Sequence, residues 1–414
     1  MAKRTKRAIA GLVAALVALV FGAVVVSAVG HTWQVTIIGP HGGQFVYTVT
    51  ADTEAEAEDA GWAQQRARFT TEAVPVASSC EAPPWVGCKG AYPPSTWQPY
   101  SDRSVFNRPI PADGTPTLPN SARLVQNLHL PDYNHTRTFG DPLRHGSSPA
   151  IYWPADDDPL VRLRCTGRCV DEFGNDFEGE EVPLPAGAEP SGGFGTDHDA
   201  QMVIANGYTG WEYDCWHVSS RIDGVLTATN CGKARIDGGG VLSGGASLNA
   251  AHFGGMAGLI RAPEFADNQI DHALAIVAPC AGSSVYPATG SGDRCANPAD
   301  GVPLGTRFQF TLSHPQIDAL NIGPWQKAIL HAFHEYGAYV SDTMCPGGDC
   351  GWSFEYEGED AYTSLGEPNP WPEYAASKGF TGFLSHGYRT YRMPIGEGIP
   401  FAGNVRAVPP PPPD

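Results

Sequence analysis

Between Trp97 and about Phe401 one pattern recurs, a short run of β-branched and aromatic residues closed by Gly, Pro, Asn or Asp. Such runs favour strands, and the residues that close them favour turns. The whole sequence contains 49 Gly and 37 Pro, a composition typical of many turns and few long helices. We therefore expect a mainly β fold, either a β-sandwich or a jelly roll. The strand-like runs are PAIYW, AQMVIA, WEYDCWHV, GVLTATN, HALAIVA, TRFQFTL, GAYVSDT and GWSFEYE.

One segment of the same region has the pattern of a helix instead. In GPWQKAILHAFHEYG, Pro324 stands at the first helical position and Gly337 just past the end, an arrangement common at helix termini. Trp325, Ile329 and Tyr336 fall on one stripe of this helix. The sequence therefore predicts one helix packed on the sandwich.

Residues 1–28 have the features of a leader. A basic start is followed by an uncharged apolar run from Ala8 to Val26. This run is long for a signal peptide and nearly long enough to span a bilayer, so a signal peptide and an N-terminal membrane anchor both remain open. In either case the positive flank stays inside. We expect a secreted protein, or one on the extracellular face that meets the membrane only through this segment.

The remaining chain divides into four parts. Residues 31–69 predict a small β-β-α unit, because WQVTIIG and QFVYTVT flank the turn PHGG and a helical segment follows, with Thr53 as its N-cap. Residues 70–96, rich in Pro and Ser, predict a linker. Residues 97–402 form the predicted β-sandwich domain, and residues 403–414 a Pro-rich tail.

The ten cysteines fall into five close pairs along the chain. An even count in an exported protein predicts disulfides, and local pairing is the simplest scheme. A zinc site is disfavoured, since no Cys-x-x-Cys pair occurs. The expected pairs are Cys80 with Cys88, Cys165 with Cys169, Cys215 with Cys231, Cys280 with Cys295, and Cys345 with Cys350.

The formal net charge of −18 restricts the partners. A surface this acidic repels nucleic acid and anionic lipid, so no nucleic-acid partner is expected. Neutral or basic partners, or divalent cations, suit it better.

The stretch MCPGGDCGWSFEYE suggests a hairpin stapled by Cys345 and Cys350. In that register Asp342 lies opposite Ser353, and Asp342 and Glu355 become diagonal neighbours about 7 Å apart. A carboxylate pair at such a distance serves as acid and base in glycan hydrolysis. The alternative is that this face of the hairpin is merely solvated.

A second acid-base candidate lies in GGMAGLIRAPEFADNQIDHALAIVAPC. His272 alternates with apolar residues along a strand-like run, the pattern of a hydrogen-bonded core histidine. Arg261 and Glu264 come from the preceding turn and would place a cation and a carboxylate beside it. Such a group can neutralise a uronic acid and abstract a proton.

A sugar-binding groove is suggested by GTDHDAQMVIANGYTGWEYDCWHV, the stretch richest in polar and aromatic residues. Asp199 and Gln201 fall on one face of its first strand, while Trp211, Tyr213 and His217 share a face of the second. Aromatic rings can stack on the apolar faces of sugars, and carboxylates accept hydrogen bonds from hydroxyl groups. In the alternative reading the aromatic residues pack inside the sandwich and the acids lie in a turn.

No cofactor is required by any of these motifs, but two of them suggest metal ions. Asp197 and Asp199 in Asp-His-Asp are candidate Ca²⁺ ligands through their carboxylate oxygens. His331 and His334 lie one turn apart on the polar face of the predicted helix, where a metal site and solvated histidines are both open.

Three stretches, SVFNRPIP, GGMAGLIRAPEFADNQIDHALAI and EYGAYVSDT, together resemble a group of secreted actinobacterial proteins that has no established activity. The resemblance spans roughly Trp97 to Met344 and implies a secreted, β-rich domain. It assigns no catalytic residue. Gln201 stands where a histidine is expected in that group, so the sequence departs from it at the first strand of the polar stretch.

The sequence thus predicts an exported β-sandwich that acts on or binds extracellular or cell-wall polysaccharide; if it is an enzyme, it belongs to the hydrolase or lyase class. The alternative is a non-catalytic surface module that binds glycan or protein, in which the disulfides serve stability alone. Carboxylates that converge in one cleft would favour the enzyme, and dispersed acids would favour the binding module.

Overall fold

The structure is a computed structural model in which the chain divides into two compact units. One contains Met1–Pro75 and Phe173–Asn175, and the other Val76–Glu172 and Asp176–Asp414. The residues that the structure describes are 24–29, 32–38, 44–53, 56–57, 60, 93, 95–111, 114–129, 136–139, 148–155, 157–291, 295, 297–343, 352–363, 370–380, 383–385, 388–394 and 396–413.

The first unit contains an antiparallel sheet of three strands, β1 (Val24–Val29), β2 (Thr32–Ile38) and β3 (Gln44–Thr50), in that order. The predicted hairpin is present, since β2 pairs with β3 from Thr32 opposite Thr50 to Ile38 opposite Gln44. Strand β1 overlaps the end of the predicted leader, so the sheet has one strand more than the sequence suggested. Most of the leader, residues 1–23, lies outside the described residues.

A helix begins after Thr53 in the same unit, where Glu56, Ala57 and Ala60 are helical. Thr53 Oγ1 accepts a hydrogen bond from the Glu56 backbone N–H at 3.3 Å, and Glu56 Oε2 accepts one from the Thr53 N–H at 3.1 Å. This reciprocal pair is a capping box and confirms the predicted N-cap. Most of the predicted helical segment up to Phe69, and most of the predicted linker 70–96, lie outside the described residues.

The second unit is mainly β. Its elements in chain order are α1 (Ser121–Asn127), β4 (Thr136–Phe139), β5 (Ala150–Tyr152), β6 (Leu160–Asp171), β7 (Glu181–Pro183), β8 (Met202–Asn206), β9 (Trp211–Trp216), β10 (Ser220–Ile222), β11 (Val225–Arg235), α2 (Ala262–Asp267), β12 (Leu274–Ala278), a 3₁₀ turn (Pro298–Asp300), β13 (Arg307–Phe310), α3 (His314–Asp318), α4 (Pro324–Glu335), β14 (Ala338–Thr343), β15 (Ser353–Phe354), α5 (Asp360–Thr363), α6 (Pro370–Ser377), β16 (Phe383–Ser385), β17 (Tyr388–Pro394) and β18 (Val405–Val408). Each of the eight strand-like runs of the sequence contains a strand.

These strands form a larger sheet in the order β5-β8-β9-β11-β6-β7, with β10 paired to β11, and a smaller one in the order β15-β12-β14-β13-β18. Strands β16, β17 and β4 form a third sheet. Both main sheets are mixed, because β5 runs parallel to β8, β6 to β11 and β12 to β14. The predicted mainly β, sandwich-like fold with a small helical part is confirmed.

A glycine-rich segment, residues 238–260, links the two main sheets within this unit. Its Ala251 N–H donates to Ser341 O of β14 at 2.9 Å, and its Gly258 O accepts from Ala275 N of β12 at 2.8 Å. The Phe253 ring of this segment lies 6.3 Å from the Tyr339 ring of β14, in an edge-to-face arrangement. The segment is therefore part of one continuous buried core.

The predicted hairpin between β14 and β15 is wrong. Strand β12 lies between them, so that Val277 pairs with Asp342 on one side and with Ser353 on the other. The physical reason is burial, because the apolar run of β12 is best covered when strands flank it on both edges. Cys345 and Cys350, which were expected to staple the hairpin, lie outside the described residues.

Helix α4 has the predicted limits and the predicted buried stripe. It begins at Pro324, and Gly337, just past the C-cap, has a φ of +80° that suits glycine. Trp325 and Ile329 are buried, and Trp325 contacts the Phe265 ring of α2 at 5.4 Å between centroids.

Strand β18 lies in the segment that the sequence assigned to the Pro-rich tail, residues 403–414. It pairs with β13 from Phe310 opposite Val405 to Arg307 opposite Val408. The Arg406 side chain also donates to Gln309 Oε1 at 2.7 and 2.9 Å. The sheet therefore extends further toward the C-terminus than predicted, because a strand of four residues beside a polyproline run gives little local signal.

Three of the five predicted disulfides fall on described residues, and all three are formed: Cys165–Cys169, Cys215–Cys231 and Cys280–Cys295. Cys215 and Cys231 are paired directly across β9 and β11, with Cα atoms 4.1 Å apart. The pair Cys80 and Cys88 lies outside the described residues.

Within the described part of the chain, none of the helices has the length and apolar character needed to cross a bilayer. The expected membrane contact concerns residues 1–28, of which the structure describes only 24–28, in β1.

We expect the Ile329→Ala variant to lose about 2–5 kcal/mol of unfolding free energy, because the side chain is fully buried and its removal leaves a cavity. Urea denaturation measures this loss. Lys327→Ala, on the polar face of the same helix, is the matched control and should cost less than about 1 kcal/mol. Equal losses of unfolding free energy in the two variants would show that burial of Ile329 does not stabilise the fold.

Candidate functional site

The predicted sugar-binding aromatic residues of β9 are buried. Trp211 and Tyr213 are 5% and 2% exposed, and Tyr213 donates to Glu180 Oε1 at 2.6 Å. Lys233 Nζ lies 4.7 Å from the centroid of the Trp211 ring and covers this face further. These two rings therefore form no open groove, because neighbouring side chains cover the face of β9 on which they lie. Gln201, predicted for the same groove, is buried as well.

The other predicted members, Asp199 and His217, do meet at the surface. The His217 N–H donates to Asp199 O at 2.9 Å. Trp216 lies between them: its indole N–H donates to Asp199 Oδ1 at 3.2 Å, and its ring stacks on the His217 imidazole with centroids 3.4 Å apart. His198 and Asp197 adjoin this group and hydrogen-bond to each other at 2.9 Å. We call these five residues, of which all but the exposed Asp197 are half-buried, the Trp216 patch.

The Trp216 patch does not assemble the predicted Ca²⁺ site. The carboxylates of Asp197 and Asp199 are held by His198 and Trp216 respectively, and the His198 hydrogen bond lowers the pKa of Asp197. Among the described residues, three potential metal-ligating atoms lie close together only at Cys165, Cys169 and Cys231, which are all in disulfides. The geometry therefore does not support a Ca²⁺ site at Asp197 and Asp199.

The second predicted acid-base group is brought together by the fold. Glu264 Oε1 lies 2.6 Å from Arg261 Nη2 and 3.0 Å from His272 Nε2. Burial alone raises the pKa of Glu264, but the Arg261 and His272 charges and the His272 hydrogen bond outweigh it, so that this pKa lies below its ordinary value. The carboxylate is thus held in its ionised form.

This cluster is closed on all sides. Arg261, Glu264 and His272 are 3%, 0% and 1% exposed, and Arg261 also donates to the backbone oxygen of Trp97 at 2.5 Å. Glu357 Oε2 accepts from the Ala262 N–H at 3.1 Å, and burial raises the pKa of Glu357 to about 7. These residues connect the start of α2 to distant parts of the chain. Their enclosure favours a structural role over acid-base catalysis on a polymer.

The first predicted acid-base pair is not formed. Because β12 separates their strands, Asp342 and Glu355 are not diagonal neighbours. Asp342 Oδ2 accepts from the Ala250 N–H at 3.2 Å, whereas Glu355 Oε2 accepts from Ser341 Oγ at 2.9 Å. The prediction of a catalytic carboxylate pair at this position was wrong, since the register on which it rested does not occur.

Two buried carboxylates that the sequence analysis overlooked lie at the centre of the larger sheet. Glu212 and Asp214 alternate along β9 with Trp211 and Tyr213 and are both fully buried. Tyr100 Oη donates to Glu212 Oε1 at 2.7 Å. The backbone N–H groups of Met256 and Gly255 lie beside the Glu212 and Asp214 carboxyl groups and partly offset the rise in their pKa values.

Burial raises the pKa of Asp214 to about 8 and the pKa of Glu212 well above its ordinary value, with the neighbouring Asp214 charge adding to the effect at Glu212. Since unpaired buried charges are costly, the two side chains are held largely in their neutral, protonated forms.

Two glycines make this burial feasible. A β-carbon at Gly254 would collide with Tyr100 Oη and Glu212 Oε1, and one at Gly255 would collide with Asp214 Oδ1. The glycine-rich segment therefore lies directly on the carboxyl groups. Two features of the sequence pointed to this site, the alternation of side chains in WEYDCW and the Gly-Gly dipeptide. Only the fold shows that the dipeptide lies against the two carboxyl groups.

Comparison with known proteins adds no assignment: no family model matches the chain, and neither a curated protein nor a solved structure matches it. The resemblance to secreted actinobacterial proteins stays a prediction.

We expect the unfolding free energy to fall by a few kcal/mol as the pH rises from about 4 to about 8. Over that range the folded Asp214 carboxyl keeps a proton that the unfolded chain has already lost, so the unfolded state gains relative stability. Urea denaturation across this pH range should show a flatter dependence for Asp214→Asn than for the wild type.

Glu212 and Glu357, whose pKa values are also raised, should preserve part of the slope in that variant. Asp197→Asn, at a fully exposed position, serves as the control and should leave the slope of the wild type. If Asp214→Asn also retained the full slope, Asp214 would be ionised in the folded protein.

Proposed function

We propose that the protein is an exported module that binds extracellular or cell-wall polysaccharide through the Trp216 patch. The observation that carries this proposal is the half-buried Trp216 ring, stacked on His217 and flanked by the Asp197 and Asp199 carboxylates. Such a surface combines an aromatic face with hydrogen-bond acceptors. Sugar rings require both, because they present apolar C–H faces and hydroxyl donors.

Binding is favoured over catalysis by the distribution of the acidic groups. Three carboxyl groups with raised pKa values, those of Glu212, Asp214 and Glu357, are buried, as is the Arg261–Glu264–His272 cluster. A fourth, Glu172, is half-buried and has its pKa raised to about 7 by burial and the Asp171 charge. A general acid or base must come within hydrogen-bond reach of the bond it acts on. A polymer that rests on the surface of this unit does not reach the buried groups.

Charge narrows the class of glycan. The protein carries a formal net charge of −18, and two carboxylates flank the patch. Uronic acid polymers are therefore repelled, whereas neutral or amino-substituted glycans are not. The three disulfides support the exported location, since such bonds persist mainly in oxidising compartments.

We expect Trp216→Ala to weaken binding to a neutral polysaccharide by about two- to tenfold, because one stacked aromatic ring contributes about 0.5–1.5 kcal/mol. Affinity electrophoresis against a panel of neutral, amino-substituted and uronate polysaccharides provides the measurement. Tyr208→Ala, another half-buried aromatic position beyond the far end of β8, is the matched control and should bind as the wild type does.

The same panel separates the two classes of function. New reducing ends or unsaturated uronate absorbance after incubation would establish the hydrolase or lyase alternative. If the wild type bound a polysaccharide and Trp216→Ala bound it equally well, the patch would not be the contact surface. If no polysaccharide were bound or cleaved, the glycan proposal as a whole would fail.

A further inference from the structure

Three histidines gather at the surface where α3 and α4 meet, far along the chain from the Trp216 patch. His314 opens α3, while His331 and His334 lie one turn apart on α4. The Nδ1 atoms of His314 and His331 are 2.7 Å apart, and their ring centroids are 4.9 Å apart with 25° between the ring planes. The two rings therefore face each other through their Nδ1 atoms.

The remaining nitrogens of these rings face acceptors. His331 Nε2 lies 3.1 Å from Asp318 Oδ1, and His314 Nε2 lies 3.9 Å from Glu335 Oε2. An acceptor beside one ring nitrogen favours the tautomer that carries its hydrogen there, which leaves a lone pair on the other nitrogen. A carboxylate that accepts the outer N–H, as Asp318 does for His331, is also the usual surrounding of metal-bound histidine. Glu335, at 3.9 Å from His314 Nε2, lies beyond hydrogen-bond distance.

At this distance one ring donates its Nδ1–H to the Nδ1 lone pair of the other, and a metal ion that displaced this proton would meet both nitrogen atoms. A proton shared by the two rings suits the present separation. A tetrahedral zinc ion, with Zn–N distances of about 2.0–2.1 Å, needs the nitrogens about 3.3–3.4 Å apart. The rings would have to open by about 0.6–0.7 Å. Both side chains are partly exposed, His314 at 46% and His331 at 29%, which gives them room to move.

We propose that His314 and His331 bind a late first-row divalent metal ion, Zn²⁺ or Cu²⁺, through their Nδ1 atoms, with Asp318 orienting the His331 ring. Imidazole nitrogen suits these ions, whereas Ca²⁺ and Mg²⁺ require oxygen ligands. Within the described residues no third ligand atom completes the set in this conformation, so water fills the remaining positions. The affinity is accordingly far below that of a structural zinc site.

His334 adds to the site without being one of its two ligands. Its Nδ1 donates to Phe310 O at 3.0 Å, and its ring lies 4.8 Å from the His314 ring.

Calorimetric titration of Zn²⁺ into the full chain tests this proposal. The wild type should show a site that His314→Ala and His331→Ala each weaken by at least tenfold. His198→Ala is the matched control, because His198 also pairs with a carboxylate but has no second imidazole facing it in the described structure. Ca²⁺ and Mg²⁺ should give no heat that depends on His314 or His331.

Electron paramagnetic resonance of the Cu²⁺ form gives a second readout, in which nitrogen couplings of the wild type should be lost in His331→Ala. His331→Gln covers the case in which the alanine variant does not fold, as judged by circular dichroism. Zinc binding that is absent from the wild type, unchanged in both histidine variants, or reduced equally in His198→Ala would overturn the proposal. The pair would then share only a proton.

Discussion

The position of β12 determines how the second unit is assembled. Its run LAIVA is almost wholly buried, so it is most stable with strands on both edges. It takes β14 as a parallel neighbour and β15 as an antiparallel one. That choice separates two strands which are close in sequence, places the glycine-rich segment against β14 and β12, and carries Asp342 and Glu355 away from each other.

Local sequence patterns predicted what is local in the fold. The strand runs, the limits of α4 and the Thr53 cap follow from backbone preferences that act within a few residues. Strand partners follow from burial across the whole unit, which no short window contains. Strand β6 was missed for a different reason, since Arg162 and Arg164 interrupt its apolar residues even though the alternation of exposed and buried positions is regular.

The same distinction explains the candidate sites. The spacing of Arg261, Glu264 and His272 predicted their contact, because a short turn leads from the first two to the third. Spacing did not reveal that all three would be enclosed. Alternation along β9 correctly separates its side chains into two sets, but the sequence does not show which set other elements will cover. Both sets proved to be covered, and the half-buried Trp216 at the end of the strand was overlooked.

Each disulfide observed here closes a short segment, with sequence separations of 4, 16 and 15 residues. A chain that leaves a translocation channel from its N-terminus can therefore oxidise each pair before the next cysteine arrives. The correct partner is then the nearest thiol at every step, and few mispaired species need to be reshuffled by an isomerase. In an exported chain the order of these six cysteines would set the order of their oxidation, and the three described pairs would form without a search among fifteen connectivities.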